Sequence, residues 1–329
     1  MLDIFNDDVF SLTSLTAAIN EMQYKPGRLG QLGLFQESGI NTTTAVVESI
    51  NGELRLLPSS ERGSPATQAI GDKRQLRSFV IPHIPHDSTV LAAEVQNVRQ
   101  FGSEDALQGV QAVINGRLQK MNANHEVTLE FLRMGALKGE ILDGDGSTVL
   151  YNLFDEFGVT QQSHDFKFSS TTTDVRAQGV KARRLIDEAL GALPYIGLHA
   201  FCGADFFDGL VGHKSVKDAY QRWQDGEALR NDPKGRFRFA DIDWEEYRGS
   251  VGGNDFVAAN EAYLYPQGAD IFKTWFAPAD FVETVNTIGL PRYAKQKVMD
   301  FEKGVIIHTQ SNPLPINLRP RAVIKLTMS

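Results

Sequence analysis

The longest regular run of apolar positions in the chain extends from Leu107 to Ala136. Leu107, Val110, Ile114, Leu118, Met121, His125, Thr128, Leu132 and Ala136 recur at intervals of three and four residues, the spacing that lines up side chains on one stripe of an α-helix. Ser103 can cap such a helix, with Glu104 and Asp105 in a first turn where the helix dipole favours acidic groups. Gly109 and Gly116 weaken it locally, each by about 1 kcal/mol relative to alanine. The spacing therefore predicts a helix over roughly 103–136 that serves as the axis of a domain. A second stripe, Val175, Gly179, Ala182, Ile186 and Ala189, predicts a helix over 174–190.

Elsewhere the period drops to two. Val305, Ile307 and Thr309 alternate with Ile306 and His308; beyond a break at Asn312, Pro313 and Pro315, residues 322–328 alternate again, so both stretches read as strands. Residues 139–158 read as strand, turn and strand around Asp143-Gly144-Asp145-Gly146. In 237–249, Phe237, Phe239 and Asp241 alternate with Arg238, Ala240 and Ile242, which predicts a single strand with an aromatic side. From Tyr195 to Asn286 short strands, short helices and turns follow one another, with a densely charged loop over 225–255, suggesting a separate α/β lobe. The first 41 residues suggest a short helix and an extended arm.

Residues 42–86 have a different character. Asn51-Gly52 suits a type I′ turn, which would set Glu48 opposite Arg55, Val47 opposite Leu56 and Val46 opposite Leu57. Pro58 ends that run, residues 59–71 have turn composition with little to pack, and Lys73–Pro82 returns as a strand. An isolated hairpin is marginal in water, so this one needs a surface, on its own domain or on another molecule.

Composition narrows the class. A chain of 329 residues with 42% hydrophobic content can bury one large core or two medium ones. The formal charge of −8, from 33 basic and 41 acidic residues, and the absence of a basic block argue against sequence-specific nucleic-acid binding. A single cysteine, Cys202, excludes an internal disulfide and a cysteine-based zinc site, and fits a reducing compartment. The opening MLDIFNDDVFSL lacks the basic flank and apolar core of a signal peptide, and no apolar run approaches a membrane span.

Signs of chemistry are few. Asp143-Gly-Asp-Gly-Ser resembles the start of a calcium loop, but Thr148 and Phe154 stand where glycine and glutamate are needed, so a hairpin turn is the better reading. His83 and His86 flank prolines in an extended segment, and an odd offset on a strand sends the two rings to opposite faces. His125 lies on the apolar stripe of the long helix and reads as a core or interface histidine. Cys202 sits near His199 and Asp205, the residue types of a thiol nucleophile and its base, which keeps a soluble α/β hydrolase as one alternative. There is no nucleophile elbow, phosphate loop or dinucleotide fingerprint.

Several long blocks, in order, resemble the major capsid protein E family of lambda-like tailed phages and prophages. GDKRQLRSFVIPHIPHDSTVLAAEVQ (Gly71–Gln96) resembles that family's extended loop and its return, and DIDWEEYRG (Asp241–Gly249) its apical strand. APADFVETVNTIGLPRYAKQKVMDFEKGVIIHTQS (Ala277–Ser311), with the NPLPINLRPRAVIKL that follows, resembles its carboxy-terminal third. The resemblance implies an α+β chain with the Hong Kong 97-type capsid fold. Its parts would be an N-terminal arm (1–41), an extended loop (42–86), a peripheral domain with a spine helix (87–194), an apical domain (195–300) and carboxy-terminal strands returning to the peripheral domain (301–329). It further implies a shell protein without catalytic, metal or cofactor sites. Such a protein assembles in the bacterial host cytoplasm as hexamers and pentamers of an icosahedral virion capsid, and encloses double-stranded DNA without sequence-specific binding. A separate scaffold, a portal and, in some shells, a decoration protein are the implied partners. An encapsulin-like nanocompartment, sharing the fold but enclosing enzymes, is the other alternative.

Overall fold

The computed structural model describes residues 12–21, 27–50, 74–96, 106–222, 236–251 and 253–329. In chain order these form α1 (Leu12–Glu21), α2 (Arg28–Leu32), β1 (Gln36–Gly39), β2 (Thr44–Ile50), β3 (Arg74–Val80), β4 (Ile84–Leu91), α3 (Ala92–Gln96) and α4 (Ala106–Lys138). There follow β5 (Glu140–Leu142), β6 (Val149–Asn152), α5 (Leu153–Phe157), β7 (Gln162–Asp165), α6 (Val175–Leu190), β8 (Gly197–Cys202), α7 (Ala204–Gly212) and α8 (Lys214–Arg222). The remainder is strand-rich: β9 (Arg236–Phe239), β10 (Ile242–Glu246), β11 (Ser250–Val251), β12 (Asn254–Asp255), β13 (Glu261–Gln267) and β14 (Phe272–Phe276). It closes with β15 (Tyr293–Val298), β16 (Gly304–Ser311), β17 (Pro313–Asn317) and β18 (Ile324–Thr327). Among the described residues no helix is long and apolar enough to cross a membrane.

The 33-residue α4 is the axis that its apolar stripe predicts. Ile114, Leu118, Met121, His125, Leu132 and Ala136 are buried, whereas Thr128 yields its place to Leu129 and turns its hydroxyl back to the Asn124 carbonyl at 2.9 Å. Ser103 to Asp105, read as cap and first turn, lie outside the described residues. The two halves of α4 enter different cores. Ile114, Leu118 and Met121 meet Leu15 and Ile19 of α1, Val90 of β4, Ala294 of β15 and Ile307 of β16. Leu132, Met134, Ala136 and Leu137 join the larger core under the other sheets.

The six-stranded sheet runs β7-β18-β13-β8-β10-β9, with α6 and α7 packed against it. Asp174 accepts the Ala177 amide at 3.2 Å to start α6, and Gly191, at φ 61°, ends it. The buried side is Val175, Gly179, Ala182, Ile186 and Leu190, the last in place of the expected Ala189. Smaller sheets are β15-β16-β4, β1-β14-β17, and the pairs β2-β3, β5-β6 and β11-β12. The carboxy-terminal strands divide among three sheets: β16 pairs with β4 and β15, β17 with β14, and β18 with β13 and β7.

One local expectation changes and another falls outside the described residues. The alternation over 237–249 is not one strand, because Ala240 and Asp241 take positive φ of 55° and 60°. Two successive left-handed residues make a type I′ turn, and the chain folds back so that Phe239 faces Ile242 and Phe237 faces Trp244. The described partner of β2 is β3, with Val46 opposite Ser78 and Val47 opposite Arg77. Asn51, Gly52 and the partners proposed for β2 at 55–57 lie outside the described residues, as does 59–71.

Candidate assembly surfaces and the node behind them

Directly opposed residues of a two-stranded ladder share a face, so the β2–β3 register sorts this hairpin into two sides. On the inner side Ala45, Val47 and Phe79 are buried. The Phe79 ring lies 5.3 Å from that of Tyr151 and 6.1 Å from that of Phe157, and the Tyr151 hydroxyl donates to the Val80 carbonyl at 2.8 Å. On the outer side Val46, Leu76 and Val80 are 61%, 71% and 63% exposed. A hairpin that had only to cover its own domain would carry polar groups there. Here Ser78 and Thr44 are interleaved with three large apolar side chains that have no cover among the described residues.

A second apolar surface is the connection from β14 to β15. Val282, Val285, Ile288 and Leu290 are exposed on it, yet the segment is firmly held. The Gly289 amide donates to the Ile40 carbonyl at 2.8 Å, and the Ile40 amide to that of Phe276 at 2.9 Å. Thr284 Oγ1 donates to the Ala279 carbonyl at 2.7 Å, and the Leu290 amide to the Tyr293 hydroxyl at 2.8 Å. A Cβ on residue 289 would fall 2.0 Å from the Phe276 carbonyl oxygen, so this approach demands glycine.

Behind these surfaces the carboxy-terminal half of α4 presents buried charges to different parts of the chain. Glu130 accepts the Leu29 amide at 2.7 Å and the Tyr247 hydroxyl at 3.0 Å, tying α4 to α2 and to the end of β10. Arg133 pairs with Glu37 of β1 at 2.5 Å, and Glu126 with Arg292 at the start of β15. Glu245 of β10 completes the node: Arg28 grips it through Nε at 2.6 Å and Nη2 at 3.0 Å, with Arg236 Nε and His199 Nε2 each 3.2 Å away. Burial pushes the Glu245 carboxyl up, but the His199 and Arg28 contacts outweigh it and hold the pKa at about 2. A short arm helix thus fastens the long axis to the six-stranded sheet.

The phage major capsid protein E family matches residues 11–328, nearly the whole chain. The chain belongs to that family. It is 28% identical over 339 residues to the major capsid protein of Pseudomonas phage KPP10, covering 96% of each. Among solved structures it is similar to a capsid protein from a prophage of E. coli CFT073, at a TM-score of 0.61 and 14% identity over 97% of this chain and 99% of that one. It is also similar to the mature capsid of bacteriophage PhiM1, at a TM-score of 0.53 and 9% identity over 94% and 88% of the two chains. The fold is therefore that of Hong Kong 97-type capsid proteins, a mixture of helices and strands, and the chain is a major capsid protein of a tailed phage. The family match also decides against the encapsulin-like alternative.

In this capsid protein the candidate reactive groups are spoken for. Cys202 is fully buried, and burial pushes its thiol pKa well up, away from the thiolate. His199 is three residues away on β8, so its ring projects from the opposite face. It receives Gln267 Nε2 on Nδ1 at 3.3 Å and turns Nε2 to Glu245. Asp205 sits apart, exposed in the first turn of α7. Cysteine and histidine do not meet, and the hydrolase alternative fails on that geometry. His83 Nδ1 lies 3.0 Å from Asn312 Oδ1, while His86 Nε2 receives Asn124 Nδ2 at 3.1 Å, so the two histidines serve separate contacts. His125 donates from Nε2 to Thr309 Oγ1 at 3.0 Å; burial and the charge of Arg292 lower its pKa to about 4, leaving it a neutral core histidine. Asp145 closes the β5–β6 turn on itself, accepting the Ser147 and Thr148 amides, each at 2.8 Å. Among the described residues no cluster of histidine, cysteine and carboxylates is placed to hold a metal ion.

The outer valines and leucine of the hairpin were visible as apolar residues in the sequence, but the alternation alone did not say which face of the returning strand would be left uncovered. The exposed set at 282–290 carried no periodic signal, because it belongs to a loop.

Proposed function

We propose that this capsid protein is the repeating subunit of an icosahedral head, assembling into hexamers and pentamers that enclose double-stranded DNA. The observation that carries the reading is the outer face of β2–β3, where Val46, Leu76 and Val80 stand exposed while Ala45, Val47 and Phe79 on the other face are buried. Obligate interfaces commonly bury about 2,000–5,000 Å², and a projecting hairpin gains such area against a neighbour. Residues 59–71, which lie outside the described residues, are taken in this reading to meet the neighbouring subunit. The formal charge of −8 suits a shell that contains DNA without gripping it, since strong phosphate contacts would oppose movement of the genome.

The subunit acts as a structural protein with no catalytic, metal or cofactor residues, and assembles in the host cytoplasm with a separate scaffold and a portal. In this reading 1–41 is the arm, 42–86 the extended loop, 87–194 the peripheral domain and 195–300 the apical domain. Residues 301–329 are the carboxy-terminal strands that return to the peripheral domain, a reading supported by the pairing of β18 with β7. Negative-stain electron microscopy of the purified protein, alone and with its scaffold, should show closed shells or capsomers. A persistent monomer under every condition would overturn the proposal.

A further inference from the structure

The tip of the β15–β16 hairpin breaks two local rules at one residue. Phe301 is 90% exposed, and its backbone is left-handed, with φ 58° and ψ 18°; Glu302 follows at φ 55°. Turn positions of this kind take glycine, asparagine or aspartate, because a Cβ there costs about 1–2 kcal/mol per residue. An aromatic ring in this place is both strained and wet. Such outliers gather where a side chain is needed by something outside the fold.

The tip is also held ready. The Glu302 amide donates to the Met299 carbonyl at 3.0 Å, the Met299 amide to that of Gly304 at 2.9 Å, and the Ala92 amide to that of Lys303 at 3.0 Å, strapping the turn to the end of β4. The Lys303 ammonium stands 5.4 Å from the Phe301 ring centre. Leu91, opposite Gly304 in the ladder, is exposed beside it. A rigid, pre-ordered aromatic is the kind of group that anchors a protein interface, because little freedom is left to lose on docking.

We propose that Phe301 is an intersubunit anchor that inserts into a second copy of this chain. A second copy is favoured because the tip carries both signs of charge within four residues, Asp300 and Glu302 against Lys303, so like tips brought together can pair opposite charges. The inference rests on the shell reading above, and its test separates the two. Phe301→Gly removes the ring and the strain together, while Phe301→Trp keeps both. The Gly variant should unfold at the same temperature as wild type, or about 1–3 °C higher, yet require at least about tenfold more protein to form shells. The Trp variant should assemble at the wild-type threshold. An unchanged threshold for the Gly variant, or a fall in its melting temperature of the same order as the loss of assembly, overturns the anchor while leaving the shell reading standing. A threshold raised only when other virion proteins are present overturns the choice of a second copy. Failure of wild type itself to form shells counts against the shell reading.

Discussion

Replacing Arg28 by methionine tests the node that joins α2, α4 and the six-stranded sheet. The aliphatic stem is largely kept, but both charged hydrogen bonds to Glu245, at 2.6 and 3.0 Å, are lost. The carboxylate, only 8% exposed, keeps Arg236 and His199 at 3.2 Å. Removing one member of an isolated buried pair costs about 3–5 kcal/mol, whereas a hydrogen bond to a charged group is worth about 1.5–3 kcal/mol. With two cationic or polar partners remaining, the lower scale applies, and we expect a loss of about 2 kcal/mol at neutral pH. The effect must depend on pH in one direction. In the folded protein the Glu245 pKa is about 2, against an ordinary 4.5. A depressed carboxylate contributes stability that is complete above the unfolded value and fades as pH falls towards the folded one. Withdrawing Arg28 raises the folded pKa, so the gap between the two proteins should be full above about pH 5 and narrow steadily towards pH 2. Urea unfolding of unassembled subunits, followed by fluorescence at stepped pH, measures both. A gap below about 0.5 kcal/mol at pH 7, or one equal at pH 7 and pH 3, would refute the reasoning.

Other perturbations separate folding from assembly. Val46→Asp or Leu76→Asp, on the outer side of the hairpin, should leave the melting temperature of the subunit nearly unchanged and abolish shells by microscopy; Phe79→Ala, on the inner side, should cost about 3–5 kcal/mol in denaturant unfolding. Deleting residues 59–71 should give a folded subunit that assembles poorly, and normal shells from that variant would show that the loop is no assembly element. Gly116→Ala, where a Cβ meets nothing within 4 Å, should stabilise α4 by about 0.5–1 kcal/mol. Gly203→Ala should instead destabilise strongly, because its Cβ would lie 2.0 Å from the Ala258 carbonyl oxygen; thermal melts distinguish the two signs.

The long helices were legible because apolar residues spaced by three and four over many turns come to one face only when the backbone is helical; the expected 174–190 lies within one residue of α6, which Asp174 caps. Strands β16 and β18 were equally plain from their alternation, whereas β17 (Pro313–Asn317) lies where the prolines were read as a break. What the pattern could not carry was pairing. Val46 and Val47 suit an Asn-Gly turn and a distant strand alike, and only the ladder places Ser78 and Arg77 beside them. The turn at Ala240 and Asp241 was hidden because the alternation continues through it; no glycine announces the reversal. The buried charges Glu126, Glu130 and Arg133 look like solvated helix positions until distant segments are packed around them. Phe301 is opaque for the opposite reason, since an apolar residue in a strand-rich region is normally assumed to point inward.

The division of the last strands among three sheets bears on how the subunit is made. β4 waits for β16, β1 and β14 wait for β17, and the stretch from β7 to β13 waits for β18. As the chain leaves the ribosome, none of the three larger sheets can close until Gly304–Thr327 has emerged. Synthesis itself thereby acts as a timer: the β2–β3 pair can form early, but a nascent chain has none of the three larger sheets that support it, and competence to join a growing shell arrives late.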